Sequence, residues 1–174
     1  MQLYAGTYTV DLMVRDRVSG KMAAKREKLV LPADASDFYA SDAVLSRHAE
    51  PLKAGNVDVL SEGNVQIRPS PSREFHASDN LIIFFKVYNA AIARETGKPL
   101  VRVTVTLMKD GQRVSRPVDY QLSDASTGAV PTLTLAKYIK LSGLAPGRYS
   151  AVIESRDIQQ QKAVKQEAWF VIVP

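Results

Sequence analysis

Apolar and polar residues alternate with a period of two through much of the chain. In Val101-Arg102-Val103-Thr104-Val105-Thr106-Leu107, the valines and Leu107 share one face while Arg102, Thr104 and Thr106 share the other. Successive side chains of a strand point to opposite faces, so the pattern predicts a half-buried β-strand, and β-branched residues suit its pleated surface. Lys109-Asp110-Gly111-Gln112 follows. Asp110-Gly111 between two strand-like runs predicts a tight hairpin, because glycine takes positive φ without steric cost. The returning strand is expected from about Arg113 to Leu122, with Pro117 marking an edge or a bulge. Asn80 to Tyr88 is apolar on both faces and predicts a central strand with a core on one side and a cover on the other. Thr132 to Leu135, Tyr149 to Ile153 and Ala168 to Ile172 alternate again, and a short strand is expected at Val65 to Arg68. Ser123 to Gly128 reads as a loop, and Ala90 to Thr96 holds one helical turn at most. The expectation is an all-β fold with about seven strands between Asn64 and Pro174, the size of an immunoglobulin-like or fibronectin-III-like sandwich.

The first and last stretches of the chain are one segment written twice. Leu3-Tyr4-Ala5-Gly6-Thr7-Tyr8 aligns with Leu144-Ala145-Pro146-Gly147-Arg148-Tyr149, Arg15-Asp16 with Arg156-Asp157, Lys21 with Lys162, and Leu29-Val30-Leu31 with Phe170-Val171-Ile172, all at an offset of 141 positions. The second copy ends a long strand-rich region and the first does not. The chain is therefore expected to hold the terminal hairpin of an incomplete sandwich (1–32), a connector with one strand near Phe38 to Leu45 (33–63), and a seven-stranded sandwich (64–174). The stretch from Glu50 to Gly63 is long for a loop in a compact domain and is expected over the surface. Tyr8 and Tyr149, just after Gly6 and Gly147, are expected as corner residues, with the ring between the sheets and the hydroxyl bonded to backbone across the turn. Asp16 and Asp157 recur at the two hairpin ends, which argues for closing a turn rather than for catalysis. Asp110 and Gly111 complete the set of residues expected to matter for structure.

Composition narrows the function. A net charge of +5 invites a nucleic-acid reading, but the basic residues are scattered, and the densest group, Lys25-Arg26-Glu27-Lys28, is interrupted by a glutamate. Alternating Lys and Arg on a sheet mostly face water and blunt its edges, so a nucleic-acid partner is not expected. The longest apolar run, Leu81 to Phe85, is strand-sized, so no membrane span is expected. There is no cysteine, which removes disulfides and thiolate metal sites.

Several motifs recur in an order that resembles a known family. They are Phe38-Tyr39-x-Ser41-Asp42-x-Val44-Leu45, Pro69-x-Pro71 with Phe75, Val87-Tyr88-Asn89, Leu144-x-Pro146-Gly147-x-Tyr149 and Phe170-x-Ile172. The order resembles the C-terminal β-sandwich region of bacterial proteins related to the von Willebrand factor A domain, and the similar tail of GWxTD-domain proteins. The resemblance implies an exported or envelope-associated parent, extracellular or periplasmic, and a region of no assigned activity. That family's Asp-x-Ser-x-Ser metal motif does not occur here, so no metal role carries over.

Chemistry-bearing constellations are few. Arg73-Glu74-Phe75-His76-Ala77-Ser78-Asp79 holds a base, a hydroxyl and a carboxylate, but lacks the rigid glycine turn that nucleophilic catalysis requires; Ser78-Asp79 reads as a turn into the central strand. The two histidines, His48 and His76, are far apart, leaving only an all-oxygen cation site with Asp34, Asp37 and Asp42 as candidates; solvated connector residues are the plainer account. Isolated Gly55, Gly63 and Gly97 make no phosphate loop. Pro69-Ser70-Pro71 is read as a stiff entry into the sandwich. Trp169 alternates with Phe170, so it is either covered by the N-terminal segment or exposed as a contact residue.

The expectation is a non-catalytic structural or protein-interaction module with no cofactor. Its partner would be another protein, a neighbouring domain of the same parent, or a second copy joined through the N-terminal hairpin. The alternative is a module binding polysaccharide or an acidic polymer. Clustering of exposed Tyr39, Tyr88, Tyr120 and Tyr138 with Arg or Lys would favour that alternative, and their dispersal would disfavour it.

Overall fold

The computed structural model describes residues 4–31, 37–52, 60–124 and 132–174, and every regular element among them is a strand. The chain divides into two compact units, Met1–Asp37 and Phe38–Pro174.

The first unit is one antiparallel hairpin of β1 (Gly6–Arg15) and β2 (Met22–Leu31), in register from Gly6↔Leu31 to Arg15↔Met22. Its turn closes through the Asp16 N–H on the Lys21 carbonyl at 2.9 Å, with Gly20 at φ 71°. Residues opposite each other share a face. Tyr8, Val10, Leu12 and Val14 of β1 therefore lie on one face with Leu29, Glu27, Lys25 and Ala23 of β2, while Asp11 and Arg26 ion-pair on the other at 2.6 Å.

The second unit is an all-β sandwich. Its strands are β3 (Tyr39–Ala40), β4 (Val44–Ser46), β5 (His48–Pro51), β6 (Ser61–Glu62), β7 (Val65–Arg68), β8 (Glu74–His76), β9 (Asn80–Tyr88), β10 (Val101–Lys109), β11 (Gln112–Arg113), β12 (Val118–Leu122), β13 (Thr132–Lys140), β14 (Gly147–Asp157) and β15 (Ala163–Val173). One sheet runs β10–β14–β15–β8, with β11 and β12 both on the free edge of β10 and β8 parallel to β15. The other is β13–β9, with β3 and β4 on the far side of β9. Their inner faces make one core: Leu81, Ile83, Phe85 and Val87 of β9 and Leu133 and Leu135 of β13 cluster with Val101, Val103, Val105, Ala151, Ile153, Phe170 and Ile172.

β9 is buried on both faces, and its outer residues Ile82 and Phe84 pack with Ile67, Ala49 and Leu60 under the small β5–β7–β6 sheet. This is the central strand with a core and a cover that its two-sided apolar sequence predicts. The cover comes from the stretch expected as a connector with one strand. Among its described residues that stretch instead carries β3, β4, β5 and β6, and the sandwich unit begins at Phe38 rather than Asn64. Between Ala40↔Val87 and Val44↔Phe84 the entering chain has one residue too many for continuous pairing. The Ser41 hydroxyl takes up the Lys86 N–H at 3.0 Å and holds this bulge. Among the described residues from Asn64 onward there are nine strands, against an expected seven or so, and the surplus is very short pieces.

Asp110 and Gly111 turn the hairpin with φ of 51° and 75°, the double positive φ of the tight turn their sequence predicts. The returning chain then splits. Four residues (Val114 to Pro117) stand against two on β10, and the Ser115 hydroxyl accepts the Leu107 N–H at 3.1 Å in place of a ladder bond. Pro117, which has no N–H to donate, lies in that break on the sheet edge. Ala90 to Thr96 is not helical; a turn there is closed by the Gly97 N–H on the Ala93 carbonyl at 2.9 Å.

Candidate functional site

Hairpins β1–β2 and β14–β15 share single hydrogen bonds at matching positions. Gly6 and Gly147 take φ of 153° and 147°, a region that side chains disfavour. The Tyr8 hydroxyl donates to the Tyr4 carbonyl at 2.7 Å, and the Tyr149 hydroxyl to the Ala145 carbonyl at 2.7 Å. The Asp157 N–H closes its turn on the Lys162 carbonyl at 2.9 Å, as Asp16 does on Lys21, and Gln161 stands at φ 56° where the first copy has Gly20. Register matches throughout: Tyr8↔Leu29 corresponds to Tyr149↔Phe170, and Leu12↔Lys25 to Ile153↔Gln166.

The two copies differ in what covers them. Tyr149 is buried to 3% exposure, stacked on Phe170 with centroids 5.6 Å apart, and capped by the Lys109 ammonium at 5.1 Å. Ala151 and Ile153 beside it are fully buried. In the first copy, Leu12 is 54% and Val14 69% exposed. The aspartates diverge in step. Asp157 is fully buried; one carboxylate oxygen accepts the N–H groups of Gln159 and Gln160, and the other accepts Ala91 N–H at 2.7 Å from the β9–β10 loop. Asp16 accepts Val18 N–H in the same way, but its second oxygen is taken by the Ser19 hydroxyl at 2.5 Å. That hydroxyl, and then the Val18 N–H, hold the exposed Asp16 carboxyl below the usual carboxylate range. Hairpin β1–β2 thus matches β14–β15 in register and corner, and supplies from within itself the bond that Asp157 receives from a neighbouring loop.

The four tyrosines do not make one patch. Tyr39 stacks on Tyr88 at 4.7 Å beside Lys86, and burial first, then Tyr39, raises the Tyr88 hydroxyl above the ordinary phenol range. Tyr138 pairs with Ile82 at the other end of β9, about 20 Å along the strand from Tyr88 at ~3.3 Å per residue. Tyr120, opposite Val103, packs against the core from the edge and lines a cleft with Tyr138 and Lys140. Glu62 lines a cleft with Lys86, Tyr88 and Thr134; burial raises its carboxyl, against the pull of Lys137.

Trp169 has the most concentrated surface chemistry. It is 42% exposed on the outer face of the β10–β14–β15 sheet, with the Arg73 guanidinium 4.8 Å and the Arg148 guanidinium 5.1 Å from its ring. Its outward direction was legible from alternation with Phe170; the arrival of Arg73 was not, because it depends on β8 joining β15. In the Arg73–Asp79 run, Asp79 accepts the His76 N–H at 2.8 Å, closing a turn, and the His76 ring Nδ1 lies 2.8 Å from the Pro174 carbonyl. Among the described residues no three His, Asp or Glu side chains gather as a metal site. Asp34 lies outside those residues; Asp37 and Asp42 lie within them. Among the described residues no helix is long and apolar enough to cross a membrane. No family model matches the chain, and no curated protein matches it significantly.

Proposed function

We propose that the chain is a non-catalytic β-sandwich module that works by protein interaction, with hairpin β1–β2 serving to close a second sandwich. The observation that carries this is the face bearing Tyr8, Val10, Leu12 and Val14, which keeps the register and corner of β14–β15 yet leaves Leu12 and Val14 exposed and Tyr8 and Val10 only partly covered. An isolated hairpin is marginal in water, and an apolar face with free edges invites association. Area decides the kind of cover. Two ten-residue strands present roughly 300 Å² per face, from ~3.3 Å per residue and ~5 Å per strand. Two such hairpins stacked face to face would bury well under the roughly 1,200 Å² of a stable interface, so copies of the chain associate only weakly and at high concentration. A sandwich shell covers the face and pairs both edges, as β10 and β8 do for β14–β15.

The sandwich itself is read as immunoglobulin-type. β9 and β13 share one sheet, β10, β14 and β15 the other, the entering chain contributes to both, and a tyrosine corner opens β14. Placement in an exported or envelope-associated bacterial protein rests on the resemblance of Phe38 to Leu45 and Leu144 to Tyr149 alone. The tyrosines fall in two separate pairs rather than one continuous patch, which supports the interaction reading over a single tyrosine-lined ligand site.

The test compares the full chain with residues 38–174 and with Leu12→Glu/Val14→Glu. The full chain is expected to bind a hydrophobic-surface dye and to associate with rising concentration in sedimentation velocity. Both altered forms should lose both properties without a change in sandwich melting. A full chain that binds no dye and stays monomeric overturns the proposal.

A further inference from the structure

The outer face of the β10–β14–β15 sheet carries a second, independent feature that lies wholly within the 38–174 unit. Trp169 stands opposite Ser150, which stands opposite Met108, with Arg148 and Glu167 on the adjoining rows of the same face. These residues and Asp110 line a cleft of about 430 Å³, within the size range of small-ligand sites. Arg73 reaches Trp169 from beyond β15. Its backbone is fixed at φ 55°, a left-handed conformation uncommon for a residue with a side chain, by its own N–H on Ser70 O at 3.0 Å and by Val171 N–H on its carbonyl at 2.8 Å. Strained backbone of this kind persists where the surroundings over-determine it and gathers at ligand clamps. Among the described residues, the ion pairs within 4.0 Å include none of Arg73, Arg148, Asp110 or Glu167. The cleft is therefore lined by the Arg148 guanidinium, the indole edge, two carboxylates outside those ion pairs and the Ser150 hydroxyl, while Arg73 reaches the same indole from outside the lining.

We infer that this cleft binds an acidic saccharide carrying about one carboxylate per ring. Guanidinium groups match a carboxylate in a bidentate fork. Met108 and the part of the indole not covered by Arg73 and Arg148 meet the apolar face of a sugar, and Asp110, Glu167 and Ser150 accept its hydroxyl protons. The mixed charge sets the class. A densely charged polyanion would meet Asp110 and Glu167 as like charges, and an acidic peptide brings carboxylates without a ring of hydroxyls for them to accept. A sugar acid satisfies both signs.

Trp169 is the single tryptophan, so its emission reports on this site alone. The full chain is titrated with an oligogalacturonate hexasaccharide, with the same hexasaccharide fully methyl-esterified, and with a poly-glutamate peptide. The expected result is a saturable change in emission with the acid form, weakened about tenfold or more by esterification and by Arg148→Gln, as follows from losing a charge-assisted hydrogen bond. Arg73→Gln should weaken it similarly, and Glu167→Gln should weaken it while leaving melting unchanged. No saturable response, equal binding of poly-glutamate, or full affinity in Arg148→Gln each overturns the inference. Failure here leaves the hairpin proposal intact, because the dye and sedimentation measurements do not involve this face.

Discussion

Tyr149 and Tyr8 make the same 2.7 Å bond to a carbonyl four residues back, yet only one of them should matter to the melting of the sandwich. Tyr149→Phe removes the hydroxyl and leaves the Ala145 carbonyl without that donor in a part-buried corner. The loss should be about 1 kcal/mol, or ~3 °C in a protein of this length. Tyr149→Ala also removes a ring that is 3% exposed and stacked between Phe170 and the Lys109 ammonium. Deleting an aromatic side chain from a core costs about 3–5 kcal/mol through lost transfer and the cavity left behind. Tyr8→Phe removes a bond of identical length from a half-buried ring on a hairpin and should leave the sandwich transition unmoved. Urea denaturation followed by circular dichroism and by Trp169 emission gives midpoints for all variants. Equal midpoints for wild type and Tyr149→Ala would show that Tyr149 is no corner anchor. Equal effects of Tyr8→Phe and Tyr149→Phe would refute the argument that burial, rather than the bond itself, sets the magnitude.

Asp157→Ala removes the acceptor of the Ala91, Gln159 and Gln160 N–H groups in a part-buried turn and should lower sandwich stability by about 1–3 kcal/mol in the same assay, whereas Asp16→Ala should leave that transition unchanged. Glu62 carries a carboxyl whose folded pKa is raised by burial, so its contribution is fully present below the unfolded value and lost as pH rises through the folded one. Glu62→Gln should therefore melt above wild type at neutral pH, with the gap closing on acidification; a gap that widens toward acid contradicts the burial argument. Lys25→Gln/Glu27→Ala should let β1–β2 compete for the place of β14–β15, seen by hydrogen exchange as protection gained at Leu12 and lost at Ile153; unchanged protection at both would refute it.

Strand content was legible because period-two alternation follows directly from strand geometry, and β7 and β9 lie where their patterns put them. The tight turn was legible because Asp110-Gly111 suits two positive φ values. What escaped notice depends on counting residues against a partner strand. The bulge at Ser41 and the break at Ser115 arise from surplus residues opposite β9 and β10, which no single-strand pattern reveals. The third sheet escaped for a related reason: His48 to Pro51 is polar, and only Ala49 and Ile67 meeting Ile82 and Phe84 makes it a cover. In the same way Trp169 was visible and its arginine frame was not. Arg148 is a register neighbour on β14, while Arg73 arrives through the parallel pairing of β8 with β15.

Two hairpins of one register in one chain pose a specificity problem, since either could in principle close the same shell. The positions where they differ resolve it. Alignment by register puts Glu27 where Ala168 is 4% exposed in the core and Lys25 where Gln166 lies, so β1–β2 could enter the shell of β14–β15 only by burying a carboxylate against Ala151's neighbourhood. An unpaired buried charge costs several kcal/mol, comparable with the roughly 5–9 kcal/mol from burying Leu12, Val10 and Leu29 together, so little net gain is left against β14–β15, which buries no charge at that position. On the hairpin surface the same two residues pair with each other at 2.7 Å and cost nothing of the kind. On the proposal that β1–β2 closes another shell, the charge pair works against exchange with β14–β15, and that shell would have to present a polar group or an open rim opposite Glu27.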